Sequence, residues 1–141
     1  MKIKAEIEFN EERVYNLFCS VMYDNHNPFY VVPLEMNRVN KYLIGNPDAF
    51  NNLVGDFKHN THVFEPKVIA YLKANPRHHF RLEDEYSGDV HKLTWKKMCD
   101  GIKIMIQEHP SHFSDVMQDN DDAITADVWI QCALLGEVVY G

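Results

Sequence analysis

The stretch DNDDAITADVWIQCALLGEVVYG, residues 119–141, places several carboxylates directly before a strongly apolar segment. The apolar residues that share one helical face are Ala126, Trp129, Ile130, Ala133 and Leu134. Asp121, Asp122 or Thr125 can cap the start of this helix, and Gly136 stands where a left-handed residue often ends one. The stretch therefore predicts a helix packed against the core, followed by a short β-prone segment, EVVYG.

The residues before this stretch predict two more helices and a hairpin. Thr94 is a candidate N-cap for a helix that runs to about His109. Its apolar stripe consists of Trp95, Met98, Ile102, Met105 and Ile106. Pro110 then opens a short helix, because proline suits a first helical turn. Residues 78–95 predict a β-hairpin with Gly88 in its turn.

The N-terminal part predicts a strand, a helix and a second strand. Ile3, Ala5, Ile7 and Phe9 alternate with charged residues, which predicts a strand with one solvated face. Residues 11–23 follow the helical spacing, with two glutamates in the first turn. FYVVPLEM, residues 29–36, indicates a strand whose Pro33 favours a sheet edge or a bulge.

The middle of the chain, residues 37–66, carries the weakest pattern. Two short helices or turns are expected there, with Pro47 in a first helical turn and Gly55 as a stop. A further short helix is expected between Pro66 and Pro76. Together these elements predict one α+β domain over residues 1–141, in which a few antiparallel or mixed strands, including the hairpin, pack against three to five helices.

Composition limits the classes of protein that the chain can belong to. The 141 residues carry 45% hydrophobic and 25% charged residues, which is typical of a globular domain. No apolar run is long enough for a membrane helix, and no signal peptide is evident, so a cytoplasmic protein is expected. The three cysteines, Cys19, Cys99 and Cys132, lie in apolar surroundings and indicate buried free thiols.

The net charge of −7 comes entirely from the end of the chain. Residues 107–141 contain seven acids and no lysine or arginine, while the rest holds 14 acids and 14 bases. Such asymmetry argues against direct binding of nucleic acid and favours a partner with a basic surface. Helix capping accounts for some of these acids, but it does not account for Asp115, Asp119 or Glu137.

Histidines provide an alternative, metal-dependent hypothesis. Five of them could contribute to a zinc or other divalent metal site, namely His59, His62, His78, His79 and His91. The HNTH spacing lacks an accompanying cysteine pair or a helical H-E-x-x-H motif, so surface or hairpin-face roles are favoured over a cofactor. A third hypothesis is a site for a small anionic or nucleotide ligand that uses Arg77, Arg81, His78 and aromatic residues.

The segment HPSHFSDVMQDNDDAITADVWIQCALLGEVVYG, with Gly101 before it, resembles the end of a group of small phage- and prophage-encoded proteins of unassigned function. These proteins often finish in DDA-x-TAD, an apolar helix containing glutamine, and G-E-x-VYG. A weaker resemblance covers residues 11–30. Those proteins tend to carry Gly-Gly before the aromatic pair, where this chain has Asp24, Asn25 and His26.

The resemblance implies a phage context in which small proteins act on host or defence proteins by binding them. No motif for nucleophilic catalysis or phosphate binding is present in the sequence. We therefore expect a stoichiometric binding protein, not an enzyme. Its expected contact face is the acidic region formed by Asp115, Asp119, Asp121, Asp122, Asp127 and Glu137.

Overall fold

Helices make up most of the chain, and a small sheet lies among them. The computed structural model describes residues 1–4, 6–23, 27–60 and 62–141. The α-helices are α1 (Glu11–Tyr23), α2 (Glu35–Gly45), α3 (Phe64–Ala74), α4 (Trp95–Glu108), α5 (Pro110–Met117) and α6 (Ala123–Leu135). The remaining elements are the 3-10 helices Pro47–Asn52 and Gly55–His59 and the strands β1 (Phe29–Val31), β2 (Phe80–Asp84) and β3 (Val90–Leu93). The predicted α+β fold class is confirmed.

The strands form an antiparallel sheet in the order β1-β2-β3. β2 and β3 are the predicted hairpin, and Gly88 adopts a φ of +74° in its turn, which glycine does without strain. Phe80 and Leu82 are fully buried on one face of β2. Arg81 and Lys92 lie directly opposite each other on the other face. The sheet therefore has a core face and an outer face.

Helix α6 lies in the core and is buried around most of its circumference. Trp129, Ile130 and Gln131 each have 0% of their surface exposed, although they point in successive directions around the helix. α6 contacts α1, α4, α5 and β3, so neighbours cover it on several sides. The prediction of a single buried face was therefore too narrow, because a helix enclosed by other elements is apolar all round.

Several predicted helix boundaries are confirmed. The Thr94 hydroxyl accepts a hydrogen bond of 3.1 Å from the backbone N–H of Lys97 at the start of α4. Asp122 caps α6 by accepting from the N–H of Thr125 at 2.9 Å. Gly136 ends α6 with a φ of +78°. Capping depends on residues only a few positions apart, which is why the sequence alone predicts it.

The N-terminal segment, residues 1–10, contradicts its prediction. Its described part, residues 1–4 and 6–10, contains no strand, and Ala5 lies outside the described residues. Alternation makes a segment suitable for a strand, but the strand also needs an edge with which to form hydrogen bonds. Phe9 instead packs against the core, with its ring centroid 6.0 Å from that of Phe113.

The predicted strand over residues 29–36 is only partly correct. β1 lies at the sheet edge, as Pro33 indicated, but it ends at Val31 and α2 follows from Glu35. The sequence pattern did not predict α2. Gly55 does not stop a helix: it begins the second 3-10 helix with a φ of +63°. Asp24, Asn25 and His26 of the preceding turn lie outside the described residues.

Lys73 on α3 contacts three other elements of the fold. Lys73 Nζ on α3 donates to Glu11 Oε2 of α1 at 2.6 Å and to the carbonyl of Asn52 at 2.5 Å. The ammonium also lies 5.2 Å from the centroid of the Trp95 ring, within the range of a cation–π interaction. These contacts hold α1, α3 and the start of α4 together.

Candidate functional site

Helices α4 and α6 form the framework of the candidate site. Trp129 Nε1 donates to the carbonyl of Met98 at 3.1 Å, and a Cβ added to Gly101 would lie 3.0 Å from the Ala133 Cβ. From the first contact to the second, the residue numbers increase along both helices, from Met98 to Gly101 in α4 and from Trp129 to Ala133 in α6. α4 and α6 therefore run in the same direction. Their C-terminal ends therefore lie at the same end of the molecule.

An open cavity of about 630 Å³ lies where these two helices end. We call it the C-terminal groove, and its lining residues are Ile104, Gln107, Glu108, His109, Gly136, Glu137 and Val138. Glu108 and Glu137 are both exposed, and the lining contains no lysine or arginine. Glu137, one of the predicted contact residues, thus shares the groove with a second carboxylate.

The helix termini add to the negative potential of the groove. Each helix C-terminus carries a partial charge of roughly −0.5, because its last carbonyl groups lack partners within the helix. α4 and α6 both end here, while α5 begins at Pro110 and its positive end offsets part of this effect. Two carboxylates and two helix C-termini are an arrangement that suits a cationic group, such as a lysine or arginine side chain.

The other five predicted contact acids lie away from the groove. Asp115, Asp119, Asp121 and Asp122 surround the connection between α5 and α6, and Asp127 lies one turn into α6. Glu137 follows the other end of this 13-residue helix, about 20 Å away along its axis. The six acids therefore form two regions, not the one face that the sequence analysis expected.

Two acids of the connection have clear roles in the fold. Asp119 has a φ of +57°, and the N–H of Asn120 donates to the carbonyl of Asp115 at 2.8 Å, which is the hydrogen bond of a Schellman C-cap. Asp119 also lies 3.5 Å from Arg13 Nη1 of α1. The hydrogen bond from the Thr125 N–H holds the pKa of Asp122 below its usual value. Asp119 and Asp122 thus shape the connection.

The C-terminal segment, residues 137–141, is held by a buried glutamine. Gln131 Oε1 accepts from the N–H groups of Val139 and Tyr140 at 2.9 and 2.8 Å, and Gln131 Nε2 donates to the Tyr140 carbonyl at 3.1 Å. Asp127 Oδ1 accepts from the same Nε2 at 3.1 Å. The side-chain amide of Gln131 therefore bonds the segment much as a neighbouring strand would.

A buried aspartate provides the second anchor of this segment. The Tyr140 hydroxyl donates to Asp84 Oδ2 at 2.6 Å, and Asp84 is only 2% exposed. Burial alone would raise the pKa of Asp84, but hydrogen bonds from Tyr140 and from the N–H groups of Tyr86 and Ser87 outweigh it and hold the pKa below its usual value. Asp84 is therefore an ionised, fully bonded link between β2 and the segment.

The five histidines of the metal hypothesis serve different local roles. His78 stacks on Tyr71 with ring centroids 4.1 Å apart, and His91 meets the ring of Phe29 edge-on. His59 and His62 are exposed at the second 3-10 helix and beyond it. In residues 1–4, 6–23, 27–60 and 62–141, no group of three or more metal-ligating side chains is placed to hold an ion.

The cysteine side chains contribute to packing. Burial raises the pKa of Cys19 to about 12 and that of Cys132 to about 11, and burial also raises the pKa of Cys99. The reactive form of cysteine is the thiolate, so all three side chains are protonated at neutral pH. All three are free thiols, as predicted, but only Cys132 is buried, while Cys19 and Cys99 are partly exposed.

An ionic cluster lies at the start of α2. The sequence pattern did not predict it, because residues 29–36 were interpreted as one strand. Glu35 is 1% exposed, and its carboxylate accepts hydrogen bonds from both Arg38 and Arg81. Burial and the Arg38 guanidinium lower the pKa of His79, so its neutral ring lies 3.0 Å from Arg38 Nη1 as an acceptor. The i, i+3 spacing of Glu35 and Arg38 is a helical signal that was present in the sequence.

Comparison with known proteins adds no family to these observations. No protein-family model, curated protein or solved structure matches the chain. Across the described ranges, no helix has the length and apolar character needed to cross a membrane. The function is therefore inferred from the geometry of the two acidic regions and of the Glu35 cluster.

Proposed function

We propose that the protein is a phage-derived binding protein that acts stoichiometrically on a host or defence protein through its acidic C-terminal region. The C-terminal groove is the observation that carries this proposal, because Glu108 and Glu137 both line it and its described lining contains no lysine or arginine. The partner we propose presents lysine or arginine side chains, as do surfaces that normally bind nucleic acid. One such side chain occupies the groove.

Electrostatic complementarity supports this role. Residues 107–141 carry seven acids and no lysine or arginine, so the field of this region extends beyond any single contact. Exposed interface charges mainly accelerate association and make it sensitive to salt. The α5–α6 connection, with Asp115 and Asp121, forms the second part of the contact region in this proposal.

The test is a pull-down from host lysate followed by a binding titration with the captured protein. One variant neutralises the groove (Glu108→Gln with Glu137→Gln), and another neutralises the connection (Asp115→Asn with Asp121→Asn). The groove variant is expected to weaken binding about tenfold at ~50 mM salt and to reduce the dependence of affinity on salt. A smaller loss is expected for the connection variant, and the wild type is expected to bind with 1:1 stoichiometry.

A matched control removes two carboxylates elsewhere. Glu6→Gln with Glu8→Gln changes the net charge by the same amount, and both residues are exposed in the N-terminal segment. This control should keep the wild-type affinity and salt dependence. If it weakens binding as much as the groove variant does, net charge and not the groove determines binding. Equal affinity of the wild type and the groove variant would also overturn the proposal.

A further inference from the structure

The Glu35 cluster lies at the place where the β1–β2 pairing stops. The N–H of Val32 donates to the carbonyl of Arg81 at 3.2 Å, and beyond it Pro33 has no N–H to donate. Glu35 Oε1 then accepts from the N–H of Arg81 at 2.9 Å, and Glu35 Oε2 accepts from Arg81 Nε at 2.9 Å. The buried Glu35 carboxylate thus accepts the backbone N–H of Arg81, as a continued β1 strand would, and it also fixes the Arg81 guanidinium.

The same carboxylate holds a second arginine in place. Arg38 donates from Nη2 to Glu35 Oε1 and, at 2.5 Å, to the carbonyl of His79. Two guanidinium groups therefore share one carboxylate and are held close together. Their side chains remain 38% and 43% exposed, for Arg38 and Arg81 respectively, so solvent molecules and ligands reach both of them.

Positive charge in this area exceeds negative charge. Lys92 lies directly opposite Arg81 on the outer face of the sheet, and like charges at such a position destabilise a strand pair. Arg38, Arg81 and Lys92 against Glu35 and Glu83 leave a net charge of +1. Glu83 occupies the adjacent row of the same face, and within the described ranges it forms no salt bridge with the three bases.

The bases also retain hydrogen-bond donors. Arg81 uses Nε for Glu35, and the described residues provide no hydrogen-bond acceptor for its two Nη groups. Arg38 Nε is buried without an acceptor in the described structure. A neighbouring aromatic surface is provided by Tyr30, which is 53% exposed and lies on the outer face beside β2. Together these features indicate a ligand with several acceptor oxygens.

We propose that Arg38, Arg81 and Lys92 form a binding site for the phosphate group of a small phosphate monoester. The three cations attract a dianionic phosphate, and its oxygens match the fork of an arginine side chain. The ligand is small because a polyanion would also meet the rest of a chain with a net charge of −7. This inference does not depend on the function proposed for the C-terminal groove.

The experiment is a calorimetric or NMR titration of the full chain at low ionic strength. The probes are inorganic phosphate, AMP and adenosine, which separate the phosphate from the nucleoside. Phosphate and AMP are expected to bind saturably, with AMP the tighter because its base can contact Tyr30, and adenosine is expected not to bind. Lys92→Gln is expected to weaken AMP binding about tenfold, since it removes one charge-assisted hydrogen bond.

Two further variants keep the proposal testable. Arg81→Gln should weaken binding more than Lys92→Gln, but Arg81 also bonds Glu35, so a lower melting temperature can accompany that loss. In the described structure Lys92 does not bond Glu35, so Lys92→Gln tests phosphate binding without that effect on stability. Lys58→Gln removes an exposed charge from the second 3-10 helix and should leave AMP affinity within about twofold of the wild type.

Three results would overturn the site. These are an absence of saturable phosphate or AMP binding up to about 10 mM, adenosine binding as tight as AMP binding, and equal losses for Lys58→Gln and Lys92→Gln. The first excludes a phosphate site, the second shows that the nucleoside dominates recognition, and the third reduces the effect to net charge.

Discussion

The N-terminal and C-terminal segments, residues 1–10 and 137–141, are both β-prone. The described residues of both segments lie outside the sheet, but their contacts with the rest of the fold differ. In the N-terminal segment, Phe9 is the residue packed against the core, while Ile3 and Ile7 are 82% and 49% exposed. In the C-terminal segment, Gln131 and Asp84 bond the backbone and the Tyr140 hydroxyl.

β-propensity alone therefore does not determine where a segment lies in the fold. Backbone N–H and carbonyl groups need partners, and a strand edge is only one source of them. The buried amide of Gln131 provides partners for the C-terminal segment without a strand. The N-terminal segment has the stronger alternating pattern, but no side chain in the described structure does the same for it.

The largest expected effect comes from Gln131→Leu. Leucine fills a similar volume but leaves the N–H groups of Val139 and Tyr140 without acceptors, and this should lower the free energy of unfolding by about 1–3 kcal/mol. Urea denaturation measures the change. Gln118→Leu on the surface after α5 is the matched control and should have little effect. Equal stabilities for the two variants would show that the glutamine does not anchor the segment.

Tyr140→Phe should have a smaller effect that depends on pH. Because the folded pKa of Asp84 lies below its unfolded value, its ionised form stabilises the fold above the unfolded pKa, and this contribution is lost as pH falls through the folded pKa. Removing the Tyr140 hydroxyl raises the folded pKa of Asp84 and reduces the contribution. The variant should therefore differ from the wild type more at pH 7 than below about pH 3.

Urea denaturation at both pH values tests this prediction. Tyr86→Phe is a suitable control, because the Tyr86 ring lies 4.9 Å from that of Tyr140 but Tyr86 contacts Asp84 through its backbone N–H. A stability difference for Tyr140→Phe that is the same at pH 7 and pH 3 would contradict the proposed role of the hydroxyl.

Removal of residues 2–6 should have the smallest effect. The described residues of this range are exposed, and the deletion keeps Phe9 in contact with the core. A change in unfolding free energy within about 0.5 kcal/mol is expected from thermal or urea denaturation. A clearly larger loss would show that the N-terminal segment stabilises the fold through contacts beyond Phe9, and the comparison between the segments would then fail.

The sequence predicted the C-terminal half of the fold better than the N-terminal half. The hairpin, α4, α5 and α6 each combine a helical or alternating pattern with a cap, a proline or a glycine at the boundary. α2 was missed because Val31, Val32 and Leu34 resemble a strand, while its helical signal was the ionic pair Glu35–Arg38. The predicted strand over residues 3–9 was wrong because pairing depends on which edges the rest of the chain leaves available.

The candidate sites divide in the same way. The concentration of negative charge after residue 106 follows from the sequence, since it is a count. The sequence also predicts that Asp122 and Gly136 bound a helix, since caps act over a few residues. The folded structure was needed to show that Glu108 and Glu137 line one groove, that Glu137 lies far from Asp122, and that Arg38 and Arg81 bind the same carboxylate. Those distances depend on helix direction and strand register, which contacts between residues far apart in the chain establish.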